Sequence, residues 1–238
     1  MNHSIAASHL PVLGWDTIAD RLDRDGYAVV SGLIDAETYR RLASLYADAH
    51  RFRSRVVMAR HGFGRGEYQH FDNPLPPPVG ALRTALYPPL CQIANRWNDM
   101  LSIDDRYLET HAAYLAQCHA AGQTKPTPLL LKYEADDYNC LHQDLYGELV
   151  FPLQADILLS RPGADFTGGE FVMTEQRPRM QSRAMVVPLQ QGEAVIFPVR
   201  QRPVQGVKRR YQVSMWYGVS RALSGHRFTL GLIFHDAQ

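Results

Sequence analysis

The first half of the chain carries apolar residues at the three- and four-residue spacing of amphipathic helices. The pattern predicts helices over residues 15–22, 35–50, 79–100 and 104–122. Pro88 and Pro89 interrupt the third of these patterns. We expect them to kink or split that helix, because proline lacks a backbone N–H and its ring clashes with the preceding turn.

From Pro128 onward the spacing changes to the alternation of period two that is typical of strands. Seven candidate strands cover residues 129–133, 149–159, 170–173, 184–188, 193–198, 211–219 and 227–234, and a short earlier strand is predicted over 27–30. Short strands without intervening helices favour a β-sandwich or barrel. We therefore expect an α+β protein. Its N-terminal helical region, residues 1–127, would pack on one sheet of a β-core, residues 128–238, as one compact unit.

Composition narrows the class of protein only slightly. The 238 residues include 25 Lys and Arg and 24 Asp and Glu, and the net charge of +1 neither supports nor excludes a nucleic-acid partner. No apolar run of about 18 residues is present, so no membrane association is expected. The N-terminus also lacks a signal-peptide pattern. The three cysteines, Cys91, Cys118 and Cys140, are sparse and lack metal-ligand spacing, which favours reduced thiols in a cytoplasmic protein.

The chemically most informative residues are His142 and Asp144. Residues i and i+2 of a strand point to the same face, so this pair can offer an imidazole nitrogen and a carboxylate oxygen to one metal ion. Two such groups and a distant histidine form the facial triad of non-haem Fe(II) oxygenases, which leaves coordination positions open. A His-x-Asp pair alone is common, and a hydrogen-bonded pair in a loop is the simpler alternative.

The surroundings of this pair form a wider pattern. Tyr133 precedes His142 by nine residues, a Thr-Gly-Gly-Glu run occupies 167–170, and a Gly-x-Arg sequence follows at 225–227. This order resembles the Fe(II)/2-oxoglutarate dioxygenase superfamily. The resemblance implies a double-stranded β-helix (jelly-roll) core, Fe(II) as cofactor, 2-oxoglutarate as cosubstrate and ascorbate as reductant.

Four longer sequence motifs resemble one group within this superfamily, the prokaryotic oxygenases related to AlkB-type nucleic-acid demethylases. They are His-Gly-Phe-Gly-Arg-Gly-Glu-Tyr (61–68), Leu-His-Gln-Asp-Leu-Tyr-Gly (141–147), Thr-Gly-Gly-Glu-Phe (167–171) and Gly-Leu-Ile-Phe-His-Asp-Ala (231–237). Together they cover most of the chain after residue 60. The resemblance is specific for the superfamily and only suggests the substrate.

Arg227 is the candidate anchor for the distal carboxylate of 2-oxoglutarate, which a guanidinium binds with two parallel hydrogen bonds. The alternative is a surface arginine. Strand alternation argues against it, because Arg227 and Thr229 share a face with Gly231 and Thr229 could add a hydrogen bond. The resemblance implies that Tyr133 also contacts 2-oxoglutarate. Asn139 is a further candidate for the cavity wall.

One position departs from the pattern of the superfamily. The resemblance implies a third metal ligand, a histidine, ten residues before Arg227, and this position holds Tyr217. Three interpretations stay open. Tyr217 ligates iron as a phenolate; or the site uses only His142 and Asp144, completed by water or a nearby histidine; or the site has decayed and the fold only binds a ligand. The nearby His226 and His235 fit poorly as replacements. We favour an altered iron site that includes Tyr217.

Residues 50–65 form a basic block without acidic residues. Arg51, Arg53, Arg55 and Arg60 could track a phosphate backbone, although a solvated basic face is the simpler interpretation. The resemblance implies a lid over a nucleotide in segment 50–76, where Arg65 and Tyr68 would contact the substrate.

The leading hypothesis is an Fe(II)/2-oxoglutarate dioxygenase that hydroxylates or oxidatively demethylates its substrate, with damaged nucleic acid as the candidate. A peptide or small-molecule hydroxylase is the alternative within the same class. The alternative of another class is an inactive jelly-roll binding protein that lost redox competence at Tyr217.

Overall fold

The computed structural model describes residues 13–207 and 209–238. Its helices are α1 (Trp15–Asp25), α2 (Ala36–Ser44), α3 (Pro77–Leu101) and α4 (His111–Ala120). Local chemistry sets several of their ends. The Asp35 carboxylate accepts the Thr38 N–H at 2.7 Å and caps α2, while Gly26 ends α1 at a φ of 81° that glycine adopts without strain.

The strands of the described residues form two large sheets and one small ribbon. In chain order they are β1 (Ala28–Val30), β2 (Phe52–Val57), β3 (Gly64–Arg65), β4 (Glu67–Phe71), β5 (Leu129–Tyr133), β6 (Tyr138–His142), β7 (Leu153–Leu158), β8 (Phe166–Gly168), β9 (Phe171–Gln176), β10 (Arg183–Val187), β11 (Ala194–Pro198), β12 (Gln201–Gln205), β13 (Arg210–Val219), β14 (Ala222–Gly225) and β15 (Arg227–Leu232).

The pairing of these strands is antiparallel throughout the two large sheets. One sheet has seven strands in the order β1-β11-β7-β15-β5-β4-β2. The other has six, with β10-β9-β13-β6-β3 in a row and β12 paired to β13. The two sheets face each other as a double-stranded β-helix, which confirms the predicted fold class.

Helices of the described residues cover the outer face of the seven-stranded sheet, and α1 and α3 also contact β12 at the edge of the other sheet. Ile18 and Leu22 of α1 and Leu86 of α3 share one buried cluster with Ile157 and Leu230 of that sheet. The inner face packs against the six-stranded sheet through a second cluster, which includes Met173, Val195, Phe197, Val213 and Met215. The predicted packing of the N-terminal helices on one sheet is thereby confirmed.

All seven predicted strands after residue 128 are present, but two other predictions need correction. First, α3 continues through Pro88 and Pro89 without a break. An internal proline costs about 3 kcal/mol, and the burial of each large apolar side chain returns about 1.5–3 kcal/mol. The fully buried Leu86, Tyr87 and Leu90 therefore hold this part of the helix in place.

Second, the described part of the region before residue 128 contains three strands besides the predicted one at 27–30, which is present as β1. Strands β1, β2 and β4 join the seven-stranded sheet, and β3 joins the six-stranded sheet. The segment 50–76 therefore supplies strands to both sheets, and its role as a lid stays a prediction. The pairings of β3 with β6 and of β4 with β5 are made across long sequence separations, and a local pattern does not reveal them.

Candidate active site

A cavity of about 280 Å³ lies between the two large sheets. Its walls come from β6 and β13 on one side and from β5, β7 and β15 on the other. Most of the predicted site residues line it, namely Tyr68, Tyr133, Asn139, His142, Asp144, Tyr217, Arg227 and Thr229. The exception is Arg65, which lies in β3 beside Tyr138 and outside the cavity.

His142 and Asp144 lie together at one end of this cavity. His142 is the last residue of β6, so Asp144 follows the strand rather than lying on it as predicted. The two side chains still meet, with His142 Nε2 3.7 Å from Asp144 Oδ1. His142 Nδ1 is 2.8 Å from the Cys140 carbonyl oxygen, which only accepts, so Nδ1 carries the proton. The lone pair of Nε2 is left free on the side of Asp144, as a metal ligand requires.

Tyr217 adjoins this pair but is already engaged in a hydrogen bond. Its β13 position pairs with His142 of β6, and its hydroxyl oxygen accepts the backbone N–H of Asp144 at 2.7 Å. Tyr146 donates its own hydroxyl to Asp144 Oδ1 at 2.9 Å. Burial and the negative charge of Asp144 raise the pKa of Tyr217 well above its ordinary value, which opposes ionisation.

No group of three or more His, Cys, Asp or Glu side chains suited to a metal ion occurs among residues 13–207 and 209–238. The donor set that fits iron therefore consists of His142 and Asp144. Ligation by Tyr217 stays a prediction. His226 is exposed beside Glu134, and His235 is buried with its Nδ1 accepting the Phe151 N–H, so neither offers a replacement.

Arg227 and Tyr133 face each other at the other end of the cavity. They are direct partners between β15 and β5, and the guanidinium carbon of Arg227 lies 5.5 Å from the centre of the Tyr133 ring. Arg227 Nη1 donates to Thr229 Oγ1 at 2.5 Å. Burial lowers the pKa of Arg227 and raises the pKa of Tyr133, so Tyr133 stays a neutral donor.

Two polar atoms at this end have no partner. Arg227 Nε and the Tyr133 hydroxyl are buried and form no hydrogen bond, although Asn139 lies close to that hydroxyl. Buried polar groups in proteins are almost always satisfied, and each orphan costs about 1–3 kcal/mol. A carboxylate placed between Arg227 and Tyr133 would accept from both, so these atoms fit the distal carboxylate of 2-oxoglutarate.

Sequence reasoning missed Asp156, a second acid in the cavity. It lies in the centre of β7, where every residue is buried, and accepts a hydrogen bond from Gln154 Nε2 at 3.1 Å. Burial raises the pKa of its carboxyl group to about 7. The available signal was a charged residue inside an otherwise apolar strand pattern, because a charge is almost never buried without a functional or structural partner.

The mouth of the cavity is apolar and exposed. Phe63, Leu141 and Leu145 line it with 47%, 44% and 43% of their surfaces accessible, and they are among the few large apolar side chains on the described surface. The His61 ring stacks on Phe63 with centroids 5.3 Å apart. Tyr68 lines the wall below, as predicted for a substrate contact. Such a mouth favours a flat or apolar group over a charged one.

The basic block is largely paired within the protein. Arg51 binds Asp48 at 3.0 Å, Arg55 binds Glu67 at 2.7 Å, and Arg53 donates to the Pro126 carbonyl at 2.8 Å. Of the four arginines predicted to contact nucleic acid, Arg60 remains exposed without such a partner within the described ranges. Pairing reduces the positive potential that this segment presents to a phosphate backbone.

Histidine and cysteine side chains of α4 make contacts within the fold, away from the cavity. His111 Nε2 lies 2.9 Å from the Phe234 carbonyl, and His119 Nε2 lies 2.8 Å from Asp236 Oδ2. Cys118 is fully buried in the main cluster. The described helices include none that is long and apolar enough to cross a membrane.

Solved structures share the fold of this chain. A prolyl hydroxylase from Trichoplax adhaerens, in complex with a hypoxia inducible factor oxygen degradation domain peptide fragment, superposes with a TM-score of 0.56 at 13% identity, covering 96% of this chain and 91% of that one. A Burkholderia pseudomallei oxidoreductase of the 2OG-Fe(II) oxygenase family gives a TM-score of 0.53 at 15% identity, over 94% and 92%. These likenesses show the jelly-roll fold alone.

Sequence comparison reaches further than the fold. The uncharacterized protein Rv2227 of Mycobacterium tuberculosis is 48% identical over 167 residues, which cover 70% of this chain and 72% of that protein. The model of the Oxygenase-NA family, described as "Oxygenase, catalysing oxidative methylation of damaged DNA", matches residues 66–237. This match includes the whole cavity except part of its mouth. The chain therefore belongs to the Oxygenase-NA family.

Proposed function

We propose that this protein is an Fe(II)/2-oxoglutarate-dependent oxygenase in which His142 and Asp144 hold the iron and Arg227 holds the cosubstrate. The observation that carries the proposal is the presence of both sets in one cavity. A free imidazole lone pair adjoins a carboxylate at one end, and two unpartnered buried donors lie at the other. Membership of the oxygenase family supports the same activity.

Each residue of this set has a distinct task. Iron with 2-oxoglutarate and O2 supplies the oxidation of a substrate C–H bond. The Cys140 carbonyl fixes the orientation and tautomer of His142, and Tyr146 orients the Asp144 carboxylate. Arg227, Thr229 and Tyr133 bind and align the cosubstrate in the same cavity.

The proposed substrate is a methylated base in damaged nucleic acid. The family description and the apolar mouth around Phe63, Leu141 and Leu145 support a flat group that enters the cavity. A base must leave the helical stack to reach such a site, and aromatic and apolar side chains favour that stacking. Oxidation of an N-methyl group gives a hydroxymethyl product, which falls apart to formaldehyde and the free base.

The first experiment measures succinate formation from 2-oxoglutarate with Fe(II) and ascorbate, and compares the native chain with Arg227→Gln. Turnover by the native chain and its loss in the variant are the expected results, because the neutral amide cannot replace the guanidinium. A native chain that forms no succinate and binds neither Fe(II) nor 2-oxoglutarate would favour the inactive binding protein instead.

The substrate is tested separately. Single-stranded DNA with N-methylated bases should increase formaldehyde release over unmethylated DNA, and binding should weaken with salt. Because Arg51 and Arg55 are already paired, the double change Arg60→Ala with Arg65→Ala should weaken DNA binding more than Arg51→Ala with Arg55→Ala. Succinate formation that only a peptide or small molecule stimulates would instead identify a hydroxylase of that class.

A further inference from the structure

Tyr217 occupies the position where the superfamily pattern has its third metal ligand, yet its contacts indicate a different role. Its side chain is fixed among aromatic rings, with centroids 4.5 Å from Phe197, 4.8 Å from His142 and 6.4 Å from Phe171. Only 2% of its surface is accessible. A ring packed this closely has one orientation, so the place of its hydroxyl group is set by the fold.

The hydroxyl oxygen of Tyr217 is directed at the backbone of the ligand-bearing segment. It accepts the N–H of Asp144 at 2.7 Å in a buried setting. Asp144 follows the end of β6, so its backbone N–H has no partner in the sheet ladder. The Tyr217 hydroxyl therefore satisfies a buried donor that would otherwise be an orphan.

Resting on the iron site of the proposed function, we propose that Tyr217 is not a metal ligand but a positioning residue that fixes the backbone of Asp144. The protein would then supply two ligands to the iron, His142 and Asp144. Two tyrosines hold Asp144 in this arrangement, Tyr217 through the backbone N–H and Tyr146 through Oδ1.

Ligation by Tyr217 would conflict with this arrangement. A metal bond would compete for the oxygen that accepts the Asp144 N–H, and a buried amide without an acceptor is unfavourable. The two-ligand arrangement leaves this hydrogen bond intact.

The first test uses the metal-free protein, so it does not depend on any oxygenase activity. Hydrogen exchange at the Asp144 amide is compared in the native chain and in Tyr217→Phe. Loss of one hydrogen bond should accelerate exchange roughly five- to tenfold. Tyr146→Phe is the matched control, because Tyr146 contacts the carboxylate and not the amide, and it should leave this amide unchanged. An unchanged rate in Tyr217→Phe overturns the positioning role.

The second test reads the metal environment of the native protein directly and uses variants only to assign a band if one appears. Ferric iron is added without 2-oxoglutarate, and the visible spectrum is recorded. Metal binding without a phenolate-to-iron charge-transfer band is the expected result. A band that persists in Tyr146→Phe and disappears in Tyr217→Phe overturns the inference while the iron site of the proposed function stands. A native chain that binds no Fe(II), Fe(III) or Co(II) overturns both.

Discussion

The two ends of the cavity differ in how complete they are. At the cosubstrate end, Arg227, Thr229 and Tyr133 are in place and two buried donors lack acceptors. At the metal end, His142 and Asp144 are present, but the third position holds Tyr217, whose hydroxyl group is already bonded to Asp144. The cosubstrate end has free donors for an anion. At the metal end, the residue at the third ligand position forms an internal hydrogen bond instead.

This difference separates two kinds of evidence for a binding site. Unsatisfied buried atoms cost free energy, so a site that keeps them indicates a ligand that satisfies them. A satisfied tyrosine gives no such indication, because its contacts already explain why it is there. The cosubstrate end therefore provides stronger structural evidence for 2-oxoglutarate than the metal end provides for a third protein ligand.

The largest expected effect is at Arg227. Its replacement by Gln should lower 2-oxoglutarate affinity by roughly 100- to 1000-fold, because a buried carboxylate loses its charged partner. Calorimetric titration checks this. Arg227→Lys is the matched variant and should recover only part of the affinity, since an ammonium group lacks the planar pair of donors. Equal 2-oxoglutarate affinity in the native chain and in Arg227→Gln would show that Arg227 does not hold the cosubstrate.

The metal end should respond to His142→Ala with a loss of Fe(II) or Co(II) affinity of about 100-fold or more, because one of two protein ligands is lost. The metal-free protein should lose little of its melting temperature, since the imidazole is partly exposed and its hydrogen bond goes to the Cys140 carbonyl. Metal titration and thermal unfolding measure the two effects. Unchanged metal affinity in His142→Ala would mean that the metal binds at a site other than His142 and Asp144.

Asp156 predicts a pH effect on stability. Its folded-state pKa is raised from 3.8 to about 7, so between these values the folded protein binds more protons than the unfolded chain. Stability should therefore fall as pH rises through this window, by on the order of 2 kcal/mol between about pH 5 and pH 8. Urea unfolding at several pH values checks this, and Asp156→Asn should remove the slope.

Buried histidines change stability with pH in the opposite direction to Asp156, so the comparison with Asp156→Asn is necessary. Burial lowers the pKa of His70, His111 and His235 to about 4, so protonation of the unfolded chain destabilises the fold as pH falls below about 6.5. The native chain and Asp156→Asn both contain these three histidines. The difference between the native and Asp156→Asn curves therefore isolates Asp156, and parallel curves would contradict the prediction.

The smallest effect is expected for Tyr133→Phe. Because the Tyr133 hydroxyl has no partner, its removal should leave the free energy of unfolding of the ligand-free protein unchanged or slightly higher. The same change should weaken 2-oxoglutarate binding about tenfold, which is the value of one hydrogen bond to a charged group. Chemical denaturation and calorimetry separate these results. A large loss of stability would mean that the hydroxyl has a structural partner.

Local patterns predicted the parts of this protein whose structure depends on nearby residues. Strands β5, β7, β9, β10, β11, β13 and β15 alternate or are continuously apolar, and the sequence shows this directly. Strand β6 lacks that signal, because its residues are exposed or half-buried and its place depends on pairing with β13 across an irregular register. Strand β12 contains Pro203, which the sheet tolerates at its edge.

In the candidate site, too, local sequence patterns predicted some features, while others depend on tertiary contacts. His142, Asp144, Tyr133 and Arg227 were predicted from spacing and resemblance, and they line one cavity. The hydrogen bond of Tyr217, the buried Asp156 and the pairing of Arg55 with Glu67 depend on tertiary contacts. No periodicity encodes such contacts, so the basic block in the sequence did not reveal that Arg51 and Arg55 are paired with acidic residues.

The unpartnered donors of Arg227 and Tyr133 have a consequence for the lifetime of the protein. A ligand that binds only the folded state stabilises it by mass action, and at one hundred times its Kd the gain is about 2.7 kcal/mol. Because cellular proteases act on opened molecules, such a gain lowers the fraction exposed to degradation about a hundredfold. We expect the abundance of this protein to follow the supply of its dicarboxylate ligand, so that the cavity also couples protein turnover to metabolite concentration.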